Sequence, residues 1–273
     1  MLPHTYAQLY KWLKENLAFR ENGENESRWL LEEISGKKIL VLGDEEISIR
    51  DFAQCHTAIE RLENGEPFQY VMGSQDFFGL NFKVNADVLV PRPETEILVQ
   101  TAIEWGKDEY LNVLDLCTGS GCIIISLAKN LAGKFHAADI SPQALKIAKE
   151  NAALNKVKVK LYNGDLFKAV PQYMKFDIIT ANPPYLTKEE MANIPKELTF
   201  EPDLALYGGD DGLSLCYKIL KEAPQFMKTQ GLFLMEIGEN QGGDILKFAQ
   251  EYFKSTQIIK DLCGKDRFLK AEN

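Results

Sequence analysis

From Leu111 onward, the sequence alternates short apolar runs with amphipathic helical stretches. The strand-like runs are NVLDLCT, KFHAADI, VKVKLYN, FDIITAN and GLFLMEIG, and TQIIKDL with DRFLKAEN has the pattern of a final antiparallel pair. The helical stretches between them are SGCIIISLAKNL, SPQALKIAKENAALN, GLSLCYKILKEA and GGDILKFAQEYF. Such alternation predicts an α/β fold, an open and mostly parallel sheet with helices on both faces. Ligands of these sheets bind at the carboxyl ends of the strands, near the switch in strand order.

The chain before this region predicts two smaller parts. Residues 1–65 have helical periodicity, with helices expected after Thr5, over about residues 26–35, and from Ser48 to near Gly65. Residues 66–90 change to strand-like composition broken by glycines, which predicts a β-hairpin linker that includes FQYVMG, QDFFGLNFKV and DVLV. The predicted organisation is therefore a helical domain (1–65), a hairpin linker (66–90) and a main domain (91–273).

Composition narrows the classes of function. The 273 residues have a net charge of −9 and a pI of about 5.1, so no global field attracts nucleic acid. Five cysteines show no paired spacing and the three histidines do not cluster, so neither a disulfide framework nor a metal site is expected. No apolar run approaches the roughly 18 residues of a membrane helix. We expect a monomer in a reducing cytoplasm, without a membrane partner.

The loop after the first strand of the alternating region has the composition of a nucleoside site. Asp115 is followed by Cys117 and then by Thr118-Gly119-Ser120-Gly121, and glycines let the backbone approach a ligand at a helix N-terminus. Asp139 ends the next strand, 20 residues after Gly119, where a carboxylate can accept hydrogen bonds from ribose hydroxyls. Because Ile124 replaces the third glycine of the dinucleotide motif, we favour an adenosine ligand over a dinucleotide. The alternative is an ordinary strand-to-helix turn with a capping aspartate.

The stretch FDIITANPPYLT ends a strand in an amide, two prolines and a phenol. The Asn182 carboxamide offers an acceptor oxygen, and the Pro183 carbonyl is a second acceptor in a chain stiffened by Pro183 and Pro184. Two acceptors can hold both hydrogens of a planar –NH2 group, and Tyr185 can pack on its flat face. This pattern predicts a clamp for a primary amide or an exocyclic amine. The alternative is a Pro-Pro turn without a ligand.

Together, the 115–121 loop, Asp139 and Asn182–Tyr185 resemble the class I S-adenosylmethionine-dependent methyltransferases that modify nitrogen. Three further stretches, over residues 65–96, 200–213 and 234–242, resemble the HemK/PrmC family. The resemblance covers nearly the whole chain. It implies a seven-stranded, Rossmann-like methyltransferase domain behind an N-terminal recognition domain. It also implies N5-methylation of the glutamine in the Gly-Gly-Gln loop of class 1 peptide chain release factors.

The resemblance implies roles for the matching residues. The cofactor S-adenosylmethionine, with S-adenosylhomocysteine as product, would lie against Cys117, Thr118, Gly119, Ser120, Gly121, Asp139, Phe167 and Asn182. Phe167 would lie beside the adenine. Asn182, Pro183, Pro184 and Tyr185 would be the catalytic residues that hold the glutamine amide. Cys117 is a departure, because the family often has glycine there, and a cysteine argues against a positive φ.

Two rival functions share these motifs. A nucleic-acid adenine or guanine amino methyltransferase would use the same catalytic residues, but the acidic composition and the lack of a basic, aromatic-rich segment disfavour direct nucleic-acid binding. A regulatory or scaffold protein that binds the cofactor without turnover would not need Asn182–Tyr185. Both rivals can be tested by methyl transfer.

Overall fold

The chain forms two compact units in a computed structural model that describes residues 3–273. The first unit runs to Gly73 and includes the 3-10 helix Lys196–Phe200. The second unit consists of Ser74–Pro195 and Glu201–Asn273.

The first unit is helical. Its helices are α1 (Tyr6–Asn16), α2 (Gly23–Ser35), α3 (Ile39–Leu42), α4 (Ile49–Glu63) and α5 (Phe68–Met72). The predicted caps of α1 and α4 are confirmed, since Thr5 Oγ1 accepts from Gln8 N and Ser48 Oγ accepts from Asp51 N. Leu9 and Leu13 on successive turns of α1, with Leu30 and Leu31 of α2, are buried against residues of α4, which gives this unit a hydrophobic core of its own.

The region 66–90 differs in part from the strand prediction. FQYVM is helix α5 instead of a strand, because the chain turns after Pro67 and Gly73 ends the helix in the left-handed region. The hairpin is shorter than predicted: β1 (Ser74–Phe77) and β2 (Leu80–Lys83) pair around a two-residue turn. DVLV forms no strand, and Val90 N instead donates to Glu201. The domain limits at 65 and 90 stay a prediction.

The second unit contains the strand–helix alternation. Its strands are β3 (Tyr110–Leu116), β4 (Ala132–Asp139), β5 (Val159–Asn163), β6 (Phe176–Ala181), β7 (Met227–Glu236), β8 (Ser255–Lys260) and β9 (Asp266–Glu272). Its helices are α6 (Thr95–Gly106), α7 (Cys122–Asn130), α8 (Pro142–Leu154), α9 (Lys188–Met191), α10 (Asp203–Leu206), α11 (Ser214–Glu222) and α12 (Gly242–Ala249), with 3-10 helices at Leu166–Ala169 and Ala223–Gln225.

The seven strands form one sheet in the order β5-β4-β3-β6-β7-β9-β8. β3 to β7 are parallel, and β9 runs antiparallel to both β7 and β8, which confirms the predicted final pair. The predicted α/β, Rossmann-like, seven-stranded architecture is therefore confirmed. The strand order reverses between β3 and β6, so the carboxyl ends of these two strands flank the position where such sheets bind ligands.

Two hydrophobic clusters cover the two faces of this sheet. Leu114 and Leu116 of β3 pack into the cluster with α11 and α12, whereas Leu111 and Val113 pack into the cluster with α6 and α7. Because alternate residues of a strand point to opposite faces, the helices cover both sides. The central strands are therefore rigid supports for the loops at their ends.

Replacing Phe233 tests this core. Its side chain is completely buried in β7, so Phe233→Ala should lower the free energy of unfolding by about 3–5 kcal/mol through lost burial and a cavity. Leu262 is 97% exposed, and Leu262→Ala should change the free energy of unfolding by less than about 0.5 kcal/mol. Urea denaturation measures both variants, and equal small effects would contradict the placement of Phe233.

Candidate active site

A cavity of about 490 Å³ lies in the second unit at the carboxyl ends of β3, β4 and β6. Its wall includes the predicted site residues Cys117, Thr118, Gly119, Ser120, Asp139, Asn182 and Pro184. The fold thus brings the glycine-containing loop, the carboxylate of the next strand and the Asn-Pro-Pro-Tyr motif to one cavity. Four other predicted residues do not line it: Gly121, Phe167, Pro183 and Tyr185.

The loop between β3 and α7 turns through three left-handed residues. Cys117 has φ 56°, Gly119 has φ 53° and Gly121 has φ 81°. The expectation that Cys117 would avoid positive φ is wrong, because the chain must turn sharply here, and a non-glycine residue adopts this conformation at a cost of roughly 1–2 kcal/mol. A Cβ at Gly121 would lie 3.2 Å from the Cβ of Ala148 on α8, so glycine suits both the left-handed backbone and the close approach of α8.

Asp115 lies beneath this loop and is fully buried in β3. Its two carboxylate oxygens accept from Thr118 Oγ1 (2.6 Å) and from Thr180 Oγ1 of β6 (2.7 Å). Burial raises the pKa of Asp115 to about 7, against the lowering effect of the two hydroxyls. The carboxyl therefore ties the loop to both central strands. Sequence reasoning noted Asp115 but not this function, since its partner Thr180 is 65 positions away.

Asp139 connects the loop to the next strand. Its Oδ2 accepts from Gly119 N (2.8 Å) and its Oδ1 accepts from Ser141 N (2.9 Å). Burial raises the pKa of this carboxyl, although these backbone hydrogen bonds act in the opposite direction. Each carboxylate oxygen has a second lone pair, so Asp139 can still accept from hydroxyls in the cavity.

The Asn182–Tyr185 segment leaves the end of β6 along the cavity wall. Asn182 and Pro184 line the cavity, and no hydrogen bond engages the Asn182 carboxamide among residues 3–273. A Cβ on Gly208 would lie 2.6 Å from Pro184 O, and one on Gly212 would lie 2.2 Å from Tyr185 O. These two glycines therefore let a second backbone segment pack directly against the motif.

Phe167 lies in the core and not on the cavity wall. It is 1% exposed and stacks on Phe226 with ring centroids 4.5 Å apart. The preceding residue, Leu166, lines the cavity instead. The resemblance implied that Phe167 lies beside the adenine, whereas the chain turns at Leu166, with φ 49°, and the aromatic ring that follows points inward.

Sequence reasoning missed an ion pair on the cavity wall. Lys218 Nζ donates to both oxygens of Asp165 at 2.8 and 2.7 Å, and this contact lowers the pKa of Asp165. No local sequence signal joins Asp165 with Lys218, because they lie on different elements. Buried Glu236 was also missed, although a charged residue that ends the apolar run GLFLM at the carboxyl end of a strand is such a signal.

Within 3–273, no group of three or more His, Cys, Asp or Glu side chains has a geometry that could hold a metal ion. None of the helices described over the same range has the length and apolar character needed to cross a membrane.

Comparisons with known proteins identify the class to which the chain belongs. Residues 107–268 match the family model of a methyltransferase domain, and residues 8–73 match the PrmC N-terminal domain. Two solved methyltransferases share the fold. One is a T. thermophilus 16S rRNA methyltransferase in complex with AdoMet and guanosine, with a TM-score of 0.56 and 18% identity over 73% of this chain and 49% of that chain. The other is a methyltransferase from Pyrococcus furiosus, with a TM-score of 0.55 and 18% identity over 78% of this chain and 96% of that chain. Fold, site and family model define a class I S-adenosylmethionine-dependent methyltransferase.

Curated relatives narrow the class to a family. The chain is 40% identical to the release factor glutamine methyltransferase of Thermodesulfovibrio yellowstonii over 79% of this chain and 81% of that protein. It is 35% identical to the Bacillus subtilis enzyme of the same name over 98% of this chain and 97% of the relative. The chain belongs to the release factor glutamine methyltransferase family.

The cavity fits S-adenosylmethionine, the cofactor of this class. A Cβ on Gly119 would meet no atom within 4 Å, so the loop backbone leaves open space on that side. The Asp139 carboxylate suits ribose hydroxyls, and cavities of roughly 300–1,000 Å³ hold ligands of this size.

The pKa of Asp115 predicts a pH dependence of stability. An unfolded aspartate has a pKa of about 3.9, whereas the folded value is about 7. Between these values the folded state holds a proton that the unfolded chain has released, so this contribution to stability is lost as pH rises, by up to about 1.4 kcal/mol per unit. Asp115→Asn removes this pH-dependent contribution, because an amide does not titrate. The unfolding free energy of the variant, measured with urea from about pH 4 to 7, should fall less steeply with pH than that of the wild type; parallel slopes would contradict this.

Proposed function

We propose that this protein transfers the methyl group of S-adenosylmethionine to the side-chain nitrogen N5 of the glutamine in the Gly-Gly-Gln loop of class 1 peptide chain release factors. The observation that supports it most is the free Asn182 carboxamide in the cavity that also contains Gly119 and Asp139. An amide-binding group and a nucleoside-binding carboxylate in one cavity match a reaction between a cofactor and a primary amide. The names of the relatives support the choice of release factor as substrate.

The residues that would hold the cofactor are the loop Cys117–Ser120 and Asp139. Backbone N–H groups of this loop lie at the start of α7, and the Asp139 carboxylate would accept the ribose hydroxyls. Bound S-adenosylmethionine supplies an electrophilic methyl group on its sulfonium sulfur. Gly121 would act indirectly, since the absence of a Cβ lets Ala148 of α8 pack closely against the loop.

The substrate amide would be held by two acceptors. Asn182 Oδ1 and the Pro183 carbonyl would each accept one hydrogen of the glutamine –NH2 group, and Pro184 would border it. An amide nitrogen is a poor nucleophile because its lone pair is delocalised. Fixing both hydrogens orients this lone pair, and orientation of this kind can supply several kcal/mol of the barrier. Asn182 and Pro183 would therefore act by geometry, and no base is needed before attack. The methylated nitrogen would lose one proton to solvent afterwards, with S-adenosylhomocysteine as the leaving group.

The first unit would recognise the release factor away from its glutamine. A single side chain in a narrow clamp cannot distinguish one protein from another, so specificity requires a second contact surface. This unit exposes apolar side chains, among them Leu40 (95% exposed) and Ile49 (90% exposed). We propose a cytoplasmic monomer whose substrate is a protein, without direct contact to nucleic acid or membrane.

A nucleic-acid amino methyltransferase is the second candidate, because it would use the same clamp. The net charge of −9 disfavours it, since nucleic-acid binding depends on cationic groups that neutralise phosphates. Incubation with radiolabelled S-adenosylmethionine, a release factor, its Gln→Ala loop variant and adenine-rich duplex DNA separates the candidates. Label on the wild-type factor alone supports our proposal, and label on DNA overturns it. Absence of label on every substrate would favour a binding protein without turnover.

Asn182→Ala should abolish methylation of the release factor, with kcat reduced by at least about 1,000-fold, because one of the two amide acceptors is lost. The dissociation constant of S-adenosylmethionine should stay within about threefold, since the loop and Asp139 remain. Single-turnover kinetics and calorimetry measure the two effects.

Asn130→Ala is the matched control for this variant. Asn130 ends α7, and its side chain bonds only to Ser126 O among the contacts in the described part of the chain. The Asn130→Ala protein should methylate the release factor at the wild-type rate. An Asn182→Ala protein with near wild-type kcat would refute the clamp.

The recognition surface is tested by Leu40→Ser and Ile49→Ser. If the first unit binds the release factor, these changes should raise KM for that substrate by about 3–10-fold, with KM for S-adenosylmethionine unchanged. Tyr173 is 85% exposed in the second unit, so Tyr173→Ser is the control. Unchanged KM for the release factor in both variants would place recognition elsewhere.

A further inference from the structure

Tyr185 is held at both of its ends by one short segment, which begins at the end of β7 and runs from Glu236 to Gln241. From this geometry we infer that Glu236 and Gln241 are positioning residues for the Asn182–Tyr185 clamp: Glu236 fixes the phenol of Tyr185, and Gln241 fixes its carbonyl. The inference rests on the proposed function, because it assigns these residues to the amide-binding step. Neither residue lines the cavity.

Glu236 lies directly beside the start of the clamp. Ala181 of β6 pairs with Met235 of β7, so the next residues along these parallel strands are Asn182 and Glu236. Glu236 is 2% exposed, and its Oε2 accepts from Thr95 Oγ1 at 2.6 Å. Its Oε1 is 3.5 Å from the Tyr185 hydroxyl, which donates to it. Because Thr95 lines the cavity, Glu236 connects the cavity wall at α6 to the clamp.

Several charged and polar groups surround the Glu236 carboxyl. Burial raises its pKa to about 7, Glu94 raises it further, and the hydroxyls of Thr95 and Tyr185 and the charge of Arg267 oppose this shift. Burial and the charge of Glu236 also raise the pKa of the Tyr185 phenol, against the opposing effect of Arg267 and Arg92, so Tyr185 remains a hydrogen-bond donor. A buried carboxyl is costly unless hydrogen bonds satisfy it. In its ionised form Glu236 accepts from both hydroxyls, and protonation removes part of that capacity.

Gln241 holds the backbone on the other side of Tyr185. Its Nε2 donates to Tyr185 O (3.1 Å) and to Gly212 O (3.2 Å), and its Oε1 accepts from Gly238 N (2.9 Å). Three backbone groups from three segments thus converge on one carboxamide. A Cβ on Gly212 would lie 2.8 Å from Gln241 Nε2, so the glycine makes room for this contact.

These contacts have a specific kinetic consequence. Pro183 and Pro184 stiffen the chain before Tyr185, so fixing Tyr185 at its phenol and its carbonyl restricts the orientation of the whole clamp. A small misalignment of a reacting amide can cost about 100-fold in rate. The cofactor-binding loop and Asp139 belong to other strands. Loss of either contact should therefore reduce kcat and leave cofactor binding intact.

The test uses the full-length protein with Glu236→Gln, Gln241→Met and Tyr185→Phe. Each single variant should lower kcat by about 10–100-fold, with the dissociation constant of S-adenosylmethionine within about twofold of the wild type. Because Glu236 and Tyr185 share one hydrogen bond, the double variant Glu236→Gln/Tyr185→Phe should be less impaired than the product of the single effects. Asp177→Asn, at the opposite end of β6 and paired with Lys228, is the matched control and should keep wild-type kcat.

A pH profile distinguishes positioning from loss of structure. Wild-type kcat should fall as pH decreases through about 7, because Glu236 becomes protonated. Glu236→Gln should show a smaller fall over this range, since its amide does not titrate. A change in folding alone would lower the whole profile without altering its shape.

Two results would overturn the inference while the proposed function stands. The first is kcat within about twofold of the wild type in Glu236→Gln, Gln241→Met and Tyr185→Phe, with wild-type protein active on the release factor. The second is a loss of cofactor binding in proportion to the loss of kcat, which would indicate a general structural role. A wild-type protein that transfers no methyl group to the release factor would overturn both the inference and the proposed function. If Glu236→Gln fails to fold, Gln241→Met and Tyr185→Phe still decide the outcome.

Discussion

The hydrogen bond from Thr180 Oγ1 to the buried Asp115 carboxyl joins the two strands on which the site depends. Asp115 lies on β3, whose end begins the glycine-containing loop of the cavity, and Thr180 lies on β6, whose end begins the Asn-Pro-Pro-Tyr motif. These strands are neighbours only because the strand order reverses between them. The two segments of the site are therefore adjacent because of the strand order of the sheet, and the buried hydrogen bond between Asp115 and Thr180 holds their strands together.

Around this junction, polar contacts of the second unit are arranged in layers. Asp139 and the loop backbone line the cavity, and Asp115 with its two threonine partners lies beneath them. On the other side, Asn182 and Pro184 line the cavity, with Tyr185, Glu236 and Gln241 behind them. Rigid strands covered on both faces supply the support that such an arrangement requires. Hydrogen bonds behind the cavity wall therefore support both the loop after β3 and the segment after β6.

Much of this was predictable because it depends on local patterns. The alternation of apolar runs and helical stretches predicted the parallel sheet and its final antiparallel pair, and the polar residues after the strands predicted which loops form the site. The strand predicted for FQYVM was wrong, because short aromatic runs suit either element and Pro67 with Gly73 decided for a helix. The left-handed Cys117 was also missed, since the turn overrides the preference of the residue.

The remaining features depend on contacts between distant segments, which periodicity does not encode. The Asp165–Lys218 pair and the contacts of Gln241 with Tyr185 and Gly212 exist only after the sheet has formed. The same is true of the inward direction of Phe167, which follows from its stacking on Phe226. Sequence reasoning predicted several residues that line the cavity and missed contacts behind them, such as those of Glu236 and Gln241 with Tyr185.

The most direct measurement is tandem mass spectrometry of a class 1 release factor after incubation with this protein and S-adenosylmethionine. Our account predicts one added methyl group, on the side-chain nitrogen of the glutamine in the Gly-Gly-Gln loop. A methyl group on another residue, or an unmodified factor in a reaction that methylates nucleic acid, would contradict it.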